Sequence, residues 1–307
     1  MDVAVLLVNW NGRELLPYSL SSLPPQVEIW VVDNGSSDDS VDYLKKEHPH
    51  IRLILNKHNR GFGNANNQAL TQIKKKYVLM LNTDAQLKKG SLETAIDFLD
   101  EHKDVGLVGA RLINEDGSLQ NSVTHKVDFL SECLNRNFMS LIRGEKRKSY
   151  NEPAEVPGVV GAAMLARMTA LKEVNYFDED YFFFFEETDL CLRLTQNQFK
   201  VVHHPFFAVT HAQGKSASKN LLLTRIEYHR SRELYFFKHL GRMAAKKLQL
   251  WQERRLILAH TCNKFLKIIS CGLIKPRKND LTQHLLNWYR MGCPTDQGLN
   301  TTNKDII

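Results

Sequence analysis

The chain has 307 residues, of which 43% are hydrophobic and 24% charged, enough to bury a sizeable core and too apolar for a disordered chain. Five scattered cysteines without a CxxC pair fit reduced thiols and argue against a disulfide framework or a zinc site. The formal charge is +7, but Lys215 to Asp280 alone holds 16 lysines and arginines against 4 acids, so the rest of the chain is net acidic.

The opening MDVAVLLVNWNG has an acid at position 2 and no cationic region before its short apolar run, so it reads as a buried strand and not as a secretory signal. Further β-like runs follow at 28–33 (EIWVVD), 51–55 (IRLIL), 77–82 (YVLMLN) and 105–112 (VGLVGARL). Crossover helices are predicted around 13–22, 38–47 and 64–75, with another over 91–102. This alternation predicts an α/β sheet covered on both faces. After residue 109 the rhythm changes: INEDGSLQ reads as a hairpin turn, 122–156 as polar and irregular, and VPGVVGAAMLARMTAL as a glycine-containing strand or loop leading into a helix. From Asn220 to Ile274 apolar and basic residues mix at helical spacing, and the final TDQGLNTTNKDII reads as a frayed tail. The expected division is a catalytic domain over 1–219 and a basic helical extension over 220–307. No run of about 18 apolar residues occurs, so no bilayer-spanning helix is expected.

In such sheets ligands gather at the carboxyl ends of the strands, which makes the loops NWNG, DNGSSD, NRGFGNANN and NTD candidates for one site. Asp33 leaves a buried strand and either accepts hydrogen bonds from a base or ribose or simply closes the strand before a helix cap. The GFG at 61–63 lacks the third glycine of a dinucleotide fingerprint, which weakens a dehydrogenase reading, while Arg60 beside a helix start suits a phosphate, with a solvated surface arginine as the alternative. Asp84, just past a strand, is placed either for a divalent cation that bridges phosphates or for a turn. In FDEDYFFFFEETDLCLR, Glu186 and Glu187 follow four phenylalanines whose low polarity would raise a carboxylate toward the range of a general base. Asp189 and Arg193 have the spacing of an ordinary helical ion pair. His211 follows another apolar run, as a metal ligand or as a structural histidine.

Taken in order, LLVNWNG, VVDNGSSDDS, NRGFGNANNQAL, LNTDA, VGLVGARLINEDGSLQ, GAAMLARMTAL, FDEDYFFFFEETDLCLR and VTHAQGKS resemble the family 2 inverting glycosyltransferases of GT-A fold, the rhamnosyltransferase-like branch in particular. The resemblance covers roughly residues 3–240. It implies a mixed, mainly parallel sheet flanked by helices. It implies Asn9 and Asp33 against the nucleoside, and Arg60, Gly61 and Asn67 on the diphosphate side. Asp84 matches the acid of a DxD-type motif, here written NTD, so that Asn82 touches nucleotide or phosphate and is a poor metal ligand. His211 matches a downstream histidine that completes the metal site, for Mg²⁺ or Mn²⁺, or the diphosphate site. Glu187 stands where the family places the aspartate that serves as base, with Glu186 as a competitor.

The implied reaction moves a sugar, rhamnose or another deoxyhexose, from a nucleotide-diphosphate donor to a hydroxyl of a glycan or lipid-linked glycan in cell-surface polysaccharide synthesis. A cytoplasmic enzyme is expected. Its basic C-terminal third reads as a peripheral membrane surface on anionic lipid, a solvated face or an oligomer contact, and no nucleic-acid module accompanies the charge. The alternatives are a sugar-phosphate nucleotidyltransferase, for which the N-terminal triphosphate-gripping loop is missing, and a noncatalytic nucleotide- or carbohydrate-binding protein.

Overall fold

A computed structural model describes residues 1–133, 151–212, 221–269, 279–294 and 299. The described chain forms two compact units. The first comprises residues 1–126, 151–182 and 186–212. The second gathers residues 127–133, Phe183–Phe185 and the helices after residue 220. The unit with the C-terminal helices therefore also takes in two short pieces that lie earlier in the chain than residue 220.

The first unit is built on strands β1 (Val3–Asn9), β2 (Glu28–Asp33), β3 (Arg52–Leu55) and β4 (Tyr77–Leu81), all mutually parallel where they pair. The crossovers carry helices α1 (Leu16–Leu20), α2 (Ser40–Glu47) and α3 (Phe62–Leu70). Strand β5 (Ala85–Leu87), helix α4 (Ser91–Glu101) and strand β6 (Val105–Ile113) follow. After them come β7 (Val123–Thr124), β8 (Ala154–Glu155), β9 (Gly158–Val159), β10 (Ala163–Arg167), α6 (Met168–Glu173), α7 (Glu186–Gln196) and β11 (Lys200–His211), with α5 (Phe129–Cys133) lying in the second unit. The main sheet runs β3-β2-β1-β4-β10-β6-β11-β5, with β8 alongside β11. Strand β10 is antiparallel to both β4 and β6, so the sheet is mixed but mainly parallel.

Alternation along the strands fills both faces. Val3, Val5 and Leu7 of β1 join one apolar cluster with Leu79 and Leu81, whereas Ala4 and Leu6 join another with Val78 and Met80. A strand buried on both sides reads as a continuous apolar run, which is why β1 and β4 were legible as strands. The predicted helix at 13–22 is confined to Leu16–Leu20, with a proline in its first turn, and the one at 64–75 begins earlier, at Phe62, because Gly61 caps it. The INEDGSLQ turn closes with Asn114 N–H on Ser118 O at 2.8 Å and Gly117 at φ +85°.

Strand β11 does most to shape the site. It pairs in parallel with β6, but its register shifts between His204 and Ala208, where Pro205 lacks an N–H for the ladder. Beyond the shift it pairs antiparallel with β5, setting His211 opposite Ala85.

The second unit is helical. It contains α8 (Leu221–Tyr235), a π-helical turn (Phe236–Leu240) ending at Gly241 with φ +86°, α9 (Arg242–Ile269) and α10 (Asn279–Arg290). Ile226, Leu256, Leu285, Leu286, Trp288 and Tyr289 form its core. Ion pairs with one buried partner each run through it, buried Glu227 with Arg230 at 2.8 Å and buried Arg232 with Glu132 at 3.4 Å. No helix among the described residues is long and apolar enough to cross a membrane. The 122–156 stretch is described only in part, and most of the C-terminal tail lies outside the described residues.

Candidate active site

The ends of β1 and β2 meet at a polar corner. Asn9 and Asp33 are register partners on adjacent strands. The Asn9 Nδ2 donates to Asp33 Oδ2 at 2.8 Å and to Ser36 Oγ at 3.1 Å, and the Ser36 N–H donates to Asp33 Oδ1 at 2.9 Å. Both side chains are almost fully buried, yet Asn9 Oδ1 has no hydrogen-bond donor among the described residues. A buried acceptor in that state calls for a donor from water or a ligand. Gly12 is required beside it, since a Cβ there would lie 2.5 Å from that oxygen.

Asn34, next along, ties this corner to the 56–61 loop. Its Oδ1 accepts from Asn56 Nδ2 and from the Arg60 N–H, both at 3.0 Å, and its Nδ2 donates to Asn59 Oδ1 at 2.8 Å and to Gly61 O at 3.2 Å. The Arg60 side chain is thereby carried on a fixed backbone and is exposed. Gly61 sits at φ +85° and ψ 168°, and an added Cβ would come within 2.5 Å of Phe182 O. Asn67 is turned to a different task. Its Nδ2 donates to Phe177 O and Glu179 Oε1, and its Oδ1 accepts from the Phe177 N–H at 3.1 Å. The amide expected on the diphosphate side thus holds the 177–179 loop onto α3.

Asp84 and His211, distant in sequence, come together. His211 Nε2 lies 3.3 Å from Asp84 Oδ1, and the Ala212 N–H donates to Asp84 O at 2.9 Å. Gln120 orients the ring: its Nε2 donates to Asn114 Oδ1 and to His211 O, both at 2.6 Å, so its Oε1 faces His211 Nδ1 at 3.0 Å as an acceptor. The Gln120 acceptor favours a proton on Nδ1, and Nε2 then faces the Asp84 carboxylate, as a donor to it in the charged ring or, with a cation between the two, as a ligand. Two lone-pair donors so placed fit a divalent cation, because ligands at about 2.1 Å from one ion stand roughly 3 Å apart. Among the described residues no cluster of three or more His, Cys, Asp or Glu surrounds a cation position, so other ligands would come from phosphate or water. Asn82 is half-buried, and its N–H donates to Ala162 O at 2.9 Å.

That bond leads to the acids. Ala162 follows Gly161, and a Cβ at Gly161 would be only 3.7 Å from Cβ and Cγ of Glu187, so the Glu187 side chain lies along this glycine backbone. Glu187 keeps some contact with solvent while protein atoms crowd it on most sides. Burial pushes its carboxyl above the usual range, and the backbone N–H groups of Glu187 and Thr188 at the start of α7 pull the other way. Glu186 is buried at 5% exposure. Asp189 and Arg193 form the helical ion pair expected from their spacing, at 2.6 Å.

Phe184 and Phe185, immediately before α7, both take left-handed backbone angles of φ +69°. Their rings pack on Tyr228 and Tyr235, and Ser231 Oγ donates to Phe183 O at 2.8 Å. These phenylalanines, read from sequence as an apolar flank for the acids, join the aromatic side chains of α8.

Asn34 and Gln120 were not singled out from sequence. Nothing in their immediate neighbours marks them, although Asn34 stands in the same DNGSSD loop as Asp33.

Comparison with known proteins supplies the family and the fold. Over 260 residues, 75% of this chain and 80% of the relative, the sequence is 26% identical to an N-acetylglucosaminyl-diphospho-decaprenol L-rhamnosyltransferase of Mycobacterium tuberculosis. It is 31% identical to rhamnosyltransferase WbbL of Escherichia coli over 160 residues, 49% of this chain and 60% of that protein. The structure of mannosyltransferase PcManGT from Pyrobaculum calidifontis, in complex with GDP-Man and Mn²⁺, superposes with a TM-score of 0.55 at 17% identity, covering 99% of this chain and 88% of that one. The mixed, mainly parallel sheet flanked by helices is the GT-A fold. The family model described as Glycosyl transferase family 2 matches residues 4–174, more than half of the chain, and the chain belongs to that family.

Proposed function

We propose that this glycosyltransferase moves a deoxyhexose, rhamnose first among them, from a nucleoside-diphosphate donor to a hydroxyl of a lipid-linked glycan, with inversion at the anomeric carbon. Rhamnose and the lipid-diphosphate acceptor are drawn from the name of the mycobacterial relative. The observation that carries the mechanism is the short path from Glu187 to Asp84: the Glu187 side chain lies on Gly161, and the next residue, Ala162, accepts the N–H of Asn82.

In this reading Asn9 and Asp33 hold the nucleoside and the exposed Arg60 meets the diphosphate. A divalent cation held by Asp84 and His211 would neutralise charge on the leaving diphosphate. Glu187, its proton affinity raised by burial, takes the proton from the acceptor hydroxyl. The oxygen forms its bond to the anomeric carbon as the carbon–phosphate oxygen bond breaks, and that electron pair leaves on the diphosphate. Attack comes from the face opposite the leaving group, so configuration inverts.

The test is incubation of the purified protein with a dTDP-rhamnose donor, a lipid-diphosphate N-acetylglucosamine acceptor and Mn²⁺ or Mg²⁺. Transfer with an inverted anomeric signal by NMR is the expected result. Absence of both transfer and donor hydrolysis over a panel of nucleotide sugars would overturn it, as would formation of nucleotide sugar from a sugar phosphate and a nucleoside triphosphate. An acceptor of this kind is embedded in lipid, so the enzyme would work at a membrane surface.

A further inference from the structure

Helix α9 leaves large apolar side chains in water. Met243 is 70% exposed, Leu258 66% and Phe265 62%, with Leu250 and Ile257 also open. Their spacing is regular. Met243, Leu250 and Ile257 recur at heptad intervals, as do Leu258 and Phe265, so at about 100° per residue all five fall on one broad face. The opposite side of the helix is accounted for: Ala245, Leu248, Gln252 and Leu256 are buried.

The exposed face is also cationic. Lys247 and Arg254, spaced like the apolar residues, interleave with them, and Lys246 and Lys264 flank them, all exposed. Over Arg242–Ile269 seven lysines and arginines stand against the single acid Glu253. Isolated exposed apolar residues are ordinary on a protein surface, but a continuous stripe bordered by one sign of charge marks an interaction surface.

We propose that this face of α9 docks on an anionic lipid surface, with Met243, Leu250, Leu258 and Phe265 entering the head-group boundary and the lysines and arginines pairing with lipid phosphates. The inference gives a place of action to the lipid-linked acceptor proposed above, and rests on that reading for its purpose. The charge selects the occupant. A second copy packed on the same face would set cation against cation with only Glu253 to offset them, which opposes the heptad pairing the spacing would otherwise favour. Nucleic acid would satisfy the charge but leave the aliphatic stripe in water. The helix lies on the surface and does not cross it, since its charges keep it below the apolarity of a spanning segment.

The experiment is co-sedimentation of the full chain with phosphatidylcholine vesicles with and without phosphatidylglycerol, at low and high salt. Binding is expected only with the anionic lipid and is expected to weaken as salt rises. The exposed-site variant Leu258→Glu/Phe265→Glu and the charge reversal Lys246→Glu/Lys247→Glu should each lower vesicle affinity about tenfold or more, with thermal melting and transfer to a water-soluble acceptor analogue unchanged. No binding to anionic vesicles at low salt, or binding that both variants leave intact, would overturn the inference. A dimer in solution that Leu258→Glu/Phe265→Glu dissolves, without vesicle binding, would assign the face to a second copy instead. If vesicles bind as expected but no sugar is transferred, the proposed reaction fails and the docking surface stands.

Discussion

The imidazole of His211 stands 3.3 Å from the Asp84 carboxylate because the end of β11 pairs with β5, the strand that begins one residue after that aspartate. Backbone pairing sets the distance, and Gln120 sets which ring nitrogen faces the acid. A pair assembled in this way depends on residues other than the two side chains it brings together.

Gln120→Ala should weaken Mn²⁺ binding by about 10- to 100-fold, because the ring loses the acceptor that fixes its tautomer. Titration of Mn²⁺ by electron paramagnetic resonance in the presence of a nucleoside diphosphate measures it. At saturating Mn²⁺ the transfer rate should recover most of its value, which separates orientation of the ligand from chemistry.

Glu187→Gln should lower kcat/KM by about 10²- to 10⁴-fold while donor binding persists. Because burial raises the Glu187 carboxyl above its ordinary range, the acid limb of the wild-type pH profile should also lie above that range, activity falling as pH drops through it. The stability effect has the opposite sense. A carboxyl with a raised folded-state pKa holds its proton better when folded, so stability is lost as pH rises from the ordinary carboxylate range through the raised value. Thermal melting against pH should show Glu187→Gln gaining on the wild type above that window and not below it.

Asn34→Ala removes four hydrogen bonds that join the Asp33 loop to the 56–61 loop. A loss of about 2 to 3 kcal/mol in unfolding free energy is expected, since partly buried backbone and amide groups lose a hydrogen-bond partner. Urea denaturation reads the stability, and a raised KM for the donor reads the loosened loops.

Gly61→Ala tests the junction between α3 and Phe182. At φ +85° and ψ 168° the backbone lies in a region that essentially only glycine occupies, and the new methyl would meet Phe182 O. The variant should lose roughly 1 to 3 kcal/mol from strain alone, and more from displacement of Phe182, again by urea denaturation. Gly117→Ala, with the same sign of φ but open space around it, should lose less.

The strands of the first half were legible because their apolar runs are local and both faces of the sheet are buried, as the two clusters drawn from alternate residues of β1 show. The loops after them were legible for a related reason: polar residues at the ends of parallel strands have one place to gather. Asp84 and His211 were each ambiguous alone, and only the pairing of β5 with β11 brings them together. What could not be read is long-range partnership. The sequence holds no sign that Asn67 would hold the loop at Phe177, or that Phe184 and Phe185 would pack on Tyr228 and Tyr235. The helical stretch from 220 hid its break, because the residues of the π-helical turn have ordinary helical spacing and only Gly241 marks the interruption.

The irregularity at Pro205 has a consequence for how this chain tolerates change. Between His204 and Ala208 strand β11 carries residues with no counterpart on β6, and every side chain beyond them takes its orientation from their number. Deleting one residue there would leave the sheet able to close but would swing the imidazole to the far surface, where the carboxylate is out of reach. Small insertions and deletions upstream of residue 208 therefore act as an on-off determinant of the histidine's availability, without altering a single residue that faces the substrate.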